Sequence, residues 1–578
     1  MSAKKSGPQK VVLEGRGGLV LRASDYIASG GEGVVYRSGN TVVKLYSDPE
    51  KMHRDGMSAK IRQLAALRHD YIVAPAGIVS DQAGDPIGYF MPFAEGEPLA
   101  RVFTNDFRQR MNFSDKAAAT LVERMRDAVL YAHSVGAVLV DGNEFNWLAS
   151  LDPHKGPLPR AIDVDSWAIG RWPAKVIMPS IRDWHTTNFS SLTDWFAWAI
   201  VTFQVFAGIH PYKGTLAGFD RSDMEGRMKA NRSVFAPGVR LNRAVRDFAH
   251  IPAPLLSWYE ATFERGERSL PPSPFASGTA LPSAAKILRV VTRASGALVY
   301  EKLFGVTNNP ALRIFPCGVV LCADGALVDL GTGRYLGVTG NSDCEVVETE
   351  SGWLVGRILG GSLLCEHVDR GTQAVTTTVV PLNAQRLVRS ANRLFGVTDR
   401  GLVELVHPRS GKFPVTIGQT WGALPLSTSW WSGVGVQDAL GARFLVIPFG
   451  ERACTFVRTP ELDGLHVVSA KAGPRYVALI VASQKGTYER FEFTFDQEHR
   501  TYTLLRSAAD GPELNMAILP KGVAASIVDD GELLILVPTS GKVVTVTDKA
   551  VTTDMLLGAW GDRVLYVHEG QVWSVRMK

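Results

Sequence analysis

Four polar residues have types and an order that suit phosphoryl transfer: Lys44, Asp141, Asn146 and Asp163. Lys44 lies within the apolar run Thr41-Val42-Val43-Lys44-Leu45-Tyr46, which follows Ile27-Ala28-Ser29-Gly30-Gly31-Glu32-Gly33-Val34-Val35-Tyr36. A glycine-rich hairpin lets backbone N–H groups approach triphosphate oxygens with no Cβ between them, and a lysine on the next strand then reaches the α- and β-phosphates. Alone, the GGEG string describes any tight turn, and a strand lysine can face solvent at an edge; Val42, Val43 and Leu45 argue for an interior strand instead.

Asp141 and Asn146 share the segment HSVGAVLVDGNEFN. A carboxylate and an amide at that offset on one loop suit a hydroxyl-orienting group beside a metal-binding oxygen. The same letters read equally well as a surface turn, since Asp and Asn favour turns. Ala161-Ile162-Asp163-Val164-Asp165-Ser166 then brings two carboxylates after a short apolar run, a hard-oxygen set for Mg²⁺ bridging phosphates. The combination carries more than any piece, because unrelated turns rarely fall into this order.

Several elements must position these groups. An amphipathic helix is expected over 117–136, ending at Gly136, followed by a strand AVLV that delivers Asp141. The apolar run from Trp195 to Ile209 is shorter than the roughly 20 residues of a membrane span and reads as a buried helix. His133 and His210 read as capping or core histidines, and Trp430-Trp431 as buried packing rather than an exposed docking patch.

The stretch around Ser269-Leu270-Pro271-Pro272-Ser273-Pro274 lacks apolar period and reads as a linker. After it, short β-rich runs recur with glycine at the turn, at Gly325, Gly361, Gly401, Gly441, Gly486, Gly531 and Gly570, spaced by 36, 40, 40, 45, 45 and 39 residues. Such turns need positive φ, and a period near 40 with about four strands per unit is that of a β-propeller blade. About seven blades are expected; a pair of β-sandwiches is the alternative. The expected division is a tail over 1–11, an α+β part over 12–98 and 99–270, a linker over 271–285 and the all-β part over 286–578.

The remaining composition excludes several classes. With 62 Lys+Arg against 57 Asp+Glu, the net charge of +5 implies no nucleic-acid footprint. The lysines near the N-terminus have no apolar stretch behind them, so no signal peptide or membrane association is expected. Five cysteines, an odd number without a CxxC pair, read as reduced core thiols of a cytoplasmic protein.

Taken together, residues 12–270 resemble the bilobal protein-kinase fold, in its divergent bacterial serine/threonine subset. IASGGEGVVY resembles the glycine-rich loop, which makes Ala28, Gly30, Gly31, Gly33 and Val35 ATP-binding. Lys44 resembles the strand lysine. Met91-Pro92-Phe93-Ala94 resembles the adenine-binding hinge, adding Met91 and Phe93. Asp141 matches the catalytic Asp, Asn146 the metal-binding Asn, and Asp163, with Asp165 as the alternative, the metal-binding Asp. Thr193-Asp194-Trp195-Phe196-Ala197-Trp198 and Gly208-Ile209-His210-Pro211-Tyr212 resemble the central helix of the large lobe and the loop after it.

The resemblance implies ATP and Mg²⁺, a protein Ser/Thr substrate, and association with metal-dependent phosphatases and von Willebrand-type modules, with the propeller recruiting partners. The sequence also departs from the family. Leu139-Val140 replace His-Arg, Asn143 replaces the loop lysine, Val164-Asp165 replace Phe-Gly, and Ser180 replaces a glutamate. Lys60 stands where the helix glutamate paired with the strand lysine is expected, leaving Glu50 or Asp55 as substitutes. These departures motivate the alternative of a catalytically weak pseudokinase scaffold or interaction hub.

Overall fold

The computed structural model describes residues 9–174, 176–241, 245–276, 298–305, 309–407, 415–450, 453–528, 532–538, 542–548, 550–552 and 555–577. They form an N-terminal α/β region and a C-terminal all-β region.

The N-terminal region begins with seven antiparallel strands: β1 (Gln9–Leu13), β2 (Gly17–Leu21), β3 (Tyr26–Ser29), β4 (Gly33–Ser38), β5 (Thr41–Tyr46), β6 (Gly77–Ser80) and β7 (Pro86–Pro92), in the order β2-β1-β6-β7-β5-β4-β3. The sheet thus opens at Gln9, inside the stretch read from sequence as a tail. β5 is interior, between β4 and β7, and alternates as a two-faced strand must. Val43 and Leu45 pack with Val11, Leu13, Val79 and Phe90 on one face. Lys44 turns to the other, where its cross-strand partner is Tyr89 and where Ile61 of the helix Met57–Leu64 packs against Ile78 and Tyr89.

The helical part is organised by two long helices. Asp115–Ser134 starts where the Ser114 hydroxyl accepts the Ala117 N–H at 3.2 Å. Ser191–Ala207 is apolar nearly all round and accordingly buried, with Trp195, Phe196, Trp198 and Phe203 in the largest core cluster. It ends at Gly208, in the left-handed region at φ 75°. There Arg246 donates to the carbonyls of Phe206 and Val205 at 2.5 and 3.1 Å, in the last turn where helix acceptors lack intrahelical donors, and also to Gln204 O, which accepts the Gly208 N–H as well.

The C-terminal region contains seven four-stranded antiparallel sheets among the described residues, an arrangement compatible with a β-propeller. Six are continuous, over 311–339, 345–380, 386–421, 428–458, 466–509 and 516–546; the seventh joins Leu298–Phe304 to the last three strands at 556–577. The recurring glycine lies between the second and third strand of each sheet, with positive φ at Gly325, Gly361, Gly401, Gly441, Gly486 and Gly570. Gly531 falls outside the described residues, as does the expected linker end near 285. All five cysteines are free, four buried and Cys454 half-buried. No helix among the described residues is long and apolar enough to cross a membrane.

The two regions meet along an extended polar seam. Arg221 pairs with Asp510 at 2.5 Å, Arg101 stacks on Trp431 at 4.3 Å, and Tyr26 donates to Asp438 at 2.5 Å. Trp430 is buried as expected, whereas half-buried Trp431 belongs to this seam. Glu513 accepts the backbone N–H groups of Asn105 and Asp106, at the start of the helix Asn105–Arg110. Burial, and secondarily the charge of Asp106, push the Glu513 carboxyl up to about 7, although the amide donors and Lys471 oppose this.

Folded Glu513 therefore keeps its proton to near neutrality, whereas an unfolded glutamate loses it above about 4.3. The native state binds more protons between these values, so this contribution is present at low pH and lost as pH rises through 7, by at most about 4 kcal/mol. Glu513→Gln keeps the acceptor without the charge. Denaturant titrations from pH 5 to 8 should show the variant gaining on wild type as pH rises; a pH-independent difference would refute the assignment.

Candidate functional site

The hairpin between β3 and β4 is closed by Gly30 N–H donating to Gly33 O at 2.9 Å. Its glycines do different work. A Cβ on Gly33 would lie 2.3 Å from the Leu45 carbonyl oxygen, so this position serves the β4–β5 approach. A Cβ on Gly30 or Gly31 would meet nothing within 4 Å, so these two leave space at the turn. Ala28 and Val35 face each other across β3 and β4. Met91, the penultimate residue of β7, lies opposite Val42, and Phe93 gives its N–H to Asn40 O at 3.0 Å while Arg37 lies 3.4 Å over its ring.

Lys44 is almost wholly enclosed. Its ammonium donates to Asp163 Oδ1 at 2.6 Å and to both oxygens of Asp165 at 2.9 Å, with Glu32 of the hairpin at 3.9 Å. Two residues 119 and 121 positions downstream thus converge on it. The carboxylates that Lys44 binds come from this pair rather than from Glu50, which instead pairs with Arg54 at 3.8 Å. Burial alone would lower the Lys44 pKa, but the charges of Asp165 and Asp163 outweigh it and the net shift is upward.

The two carboxyls respond in opposite directions. Burial raises Asp165, yet Lys44, Tyr46 and Tyr89 more than compensate and hold it below the ordinary carboxylate range. Burial also raises Asp163; Lys44 opposes this, Asp165 and Glu32 add to it, and the net shift is upward.

Asp163 owes its position to the backbone. It lies in the left-handed region at φ 58°, ahead of a 3-10 turn over Val164–Ser166 that points both carboxylates back at β5. Ile162 N–H donates to Asn146 O at 2.9 Å, which fixes Asn146 beside this turn. The Asn146 amide nitrogen donates to the Asp141 carbonyl at 2.8 Å, leaving its amide oxygen as an acceptor. The Asp141 carboxylate accepts the Met178 N–H at 2.8 Å, and burial raises its pKa. The short strand before it spans only Ala137–Val138, and Val140 adopts φ 62°. That bend is held by Asp194 of the long buried helix, which accepts the N–H groups of Leu139 and Val140 at 2.7 and 2.8 Å and contacts His133 at 2.9 Å.

The donor set suits a divalent cation and a polyphosphate. Asp163 presents a part-exposed carboxylate with one oxygen on Lys44 and one remaining, and the preceding residue, Ile162, is bonded through its N–H to the Asn146 backbone carbonyl. Its upward shift comes first from burial, with the charges of Asp165 and Glu32 adding to it. Lys44 adds a cation beneath an open glycine turn.

The C-terminal region borders this site closely. Phe145 stacks on His466 at 4.3 Å, and buried Glu144 accepts from Tyr488 at 3.2 Å, so the loop between Asp141 and Asn146 lies against it. The Gly486 turn abuts Met178 and Ser180, and the Gly441 turn abuts Ser29. His210 Nε2 donates to the Ser180 carbonyl at 2.8 Å, and burial lowers the His210 pKa to about 3, in line with a core role.

Comparison of the sequence with protein-family models and with curated proteins finds no match. The residues that sequence reading passed over are Tyr46, Tyr89, Glu32 and Asp194. Tyr46 carried a signal in its spacing, since i+2 on a strand shares the face of Lys44; Tyr89 carried none, because cross-strand pairing is not written in the local sequence.

Proposed function

We propose that the chain is a protein-kinase-like phosphotransferase, moving the ATP γ-phosphoryl group to a Ser or Thr hydroxyl of a protein, with the C-terminal region a seven-bladed β-propeller. The observation that carries this reading is the 2.6 Å contact between Lys44 and Asp163 at the base of an open glycine turn. In this reading Lys44 binds the α/β-phosphates, and the turn closed by the Gly30–Gly33 bond covers them, with the Gly31 N–H as donor. Met91 and Phe93 border the adenine. Asp163 and Asn146 would hold Mg²⁺, and a bound ion would supply positive charge to offset that of the phosphates. Asp141 orients the attacking hydroxyl and takes its proton. Such catalysis is mainly positioning and charge placement.

One observation favours a second reading, a nucleotide-binding scaffold without turnover: the loop carrying Asp141 lies against His466 and Tyr488, which crowds the approach of an acceptor. Labelled ATP with Mg²⁺ separates the two. Wild type should incorporate phosphate into itself or a basic protein, and Lys44→Met should not. Nucleotide-dependent thermal stabilisation without incorporation would favour the scaffold; neither effect would remove both readings.

A further inference from the structure

Asp165 is the most heavily bonded side chain in the site. Its Oδ1 accepts from Lys44 at 2.9 Å and Tyr89 at 2.7 Å; its Oδ2 accepts from Lys44 at 2.9 Å and Tyr46 at 2.6 Å. Each oxygen thus has two donors, and the side chain is only 1% exposed. A carboxylate so filled has no lone pair left for a cation, whereas Asp163 is 36% exposed and has one oxygen on Lys44. Lys60 completes the arrangement from the helix side: its ammonium donates to the Asp165 backbone carbonyl at 2.7 Å.

We propose that Asp165 is the positioning residue of Lys44, acting in place of a helix carboxylate, and that Lys60 pins the turn that carries it. The helix then contributes a cation that holds a backbone oxygen, and the carboxylate reaches Lys44 from the turn after Asp163. Tyr46 and Tyr89 aim Asp165, and Asp165 aims the ammonium. The Lys60 substitution thereby becomes part of a relocated pair rather than a lost one. This inference rests on the proposed function only for its nucleotide readout.

Two measurements test it. In the first, the full chain is labelled with acetic anhydride and Lys44 acetylation is followed by mass spectrometry. Asp165→Asn should speed it about tenfold, since hydrogen bonds to charged groups contribute about 1.5–3 kcal/mol. Tyr89→Phe should speed it less, and serves if Asp165→Asn fails to fold. An unchanged rate in the folded variants overturns the proposal.

In the second, binding of a fluorescent ATP analogue is measured in EDTA for wild type, Asp165→Asn, Lys44→Met and the double variant. If Asp165 acts through Lys44, the double variant binds no more weakly than Lys44→Met alone. Losses that multiply would assign Asp165 a separate role and overturn it. Faster acetylation in a protein that binds no nucleotide would uphold the pair and instead count against the phosphotransferase reading.

Discussion

Asp141→Ala is expected to lower phosphate transfer by about two to four orders of magnitude, the usual contribution of a positioned general base. The carboxylate accepts one backbone N–H, from Met178 at 2.8 Å, and its pKa is raised by burial. A raised pKa makes it a stronger proton acceptor. Its backbone is fixed independently, through the Asn146 bond to its carbonyl and the Asp194 bonds to the two preceding amides. Removing the carboxylate should therefore spare the loop and the nucleotide site. Initial rates with labelled ATP should collapse while the affinity for a fluorescent ATP analogue changes less than about threefold. Equal rates for variant and wild type would show that any transfer does not pass through Asp141.

What the sequence displayed and what it concealed follow a physical division. The glycine turns of the C-terminal half were legible because each requires positive φ at one place in a strand–turn–strand unit, and the requirement recurs with a period near 40 residues. The candidacy of Lys44 and Asp163 was legible because each sits at the end or middle of its own short apolar run. The part played by Asp165 was not. It depends on Asp163 taking φ 58° and on the 3-10 turn after it, so that residues two apart face one lysine; read as letters, IDVDS offers alternatives rather than a pair.

Lys60 misled for a related reason. Local sequence displays a charge at a position but not whether another element supplies the carboxylate expected there. The seam between the regions was also hidden. Tyr26 and Asp438 are 412 residues apart, Glu144 and Tyr488 are 344, and single polar residues at such separations leave no periodic trace. The C-terminal region, which the resemblance assigned to recruiting partners, is in part occupied by this seam, at the Gly441 and Gly486 turns.

Asp194→Ala should be the most destabilising single change near the site, by about 3–5 kcal/mol, because each buried donor left without a partner costs about 1–3 kcal/mol. The variant strands the Leu139 and Val140 N–H groups and leaves His133 without its carboxylate, at a position where Asp194 is only 4% exposed and water has little access. The second consequence is conformational. Val140 is β-branched and at φ 62° adopts a backbone that such residues disfavour, so it persists only while its N–H is held. Once released, Val140 should relax toward negative φ and carry Asp141 with it. Asp194→Asn, which keeps one acceptor oxygen, should cost less and retain part of the loop geometry. Denaturant unfolding checks the energies, and hydrogen exchange at the Leu139 and Val140 amides checks the loop. Protection of both amides in Asp194→Ala equal to that in wild type would mean that the bend is imposed by packing around Leu139 and Trp147, and that Asp194 only follows it.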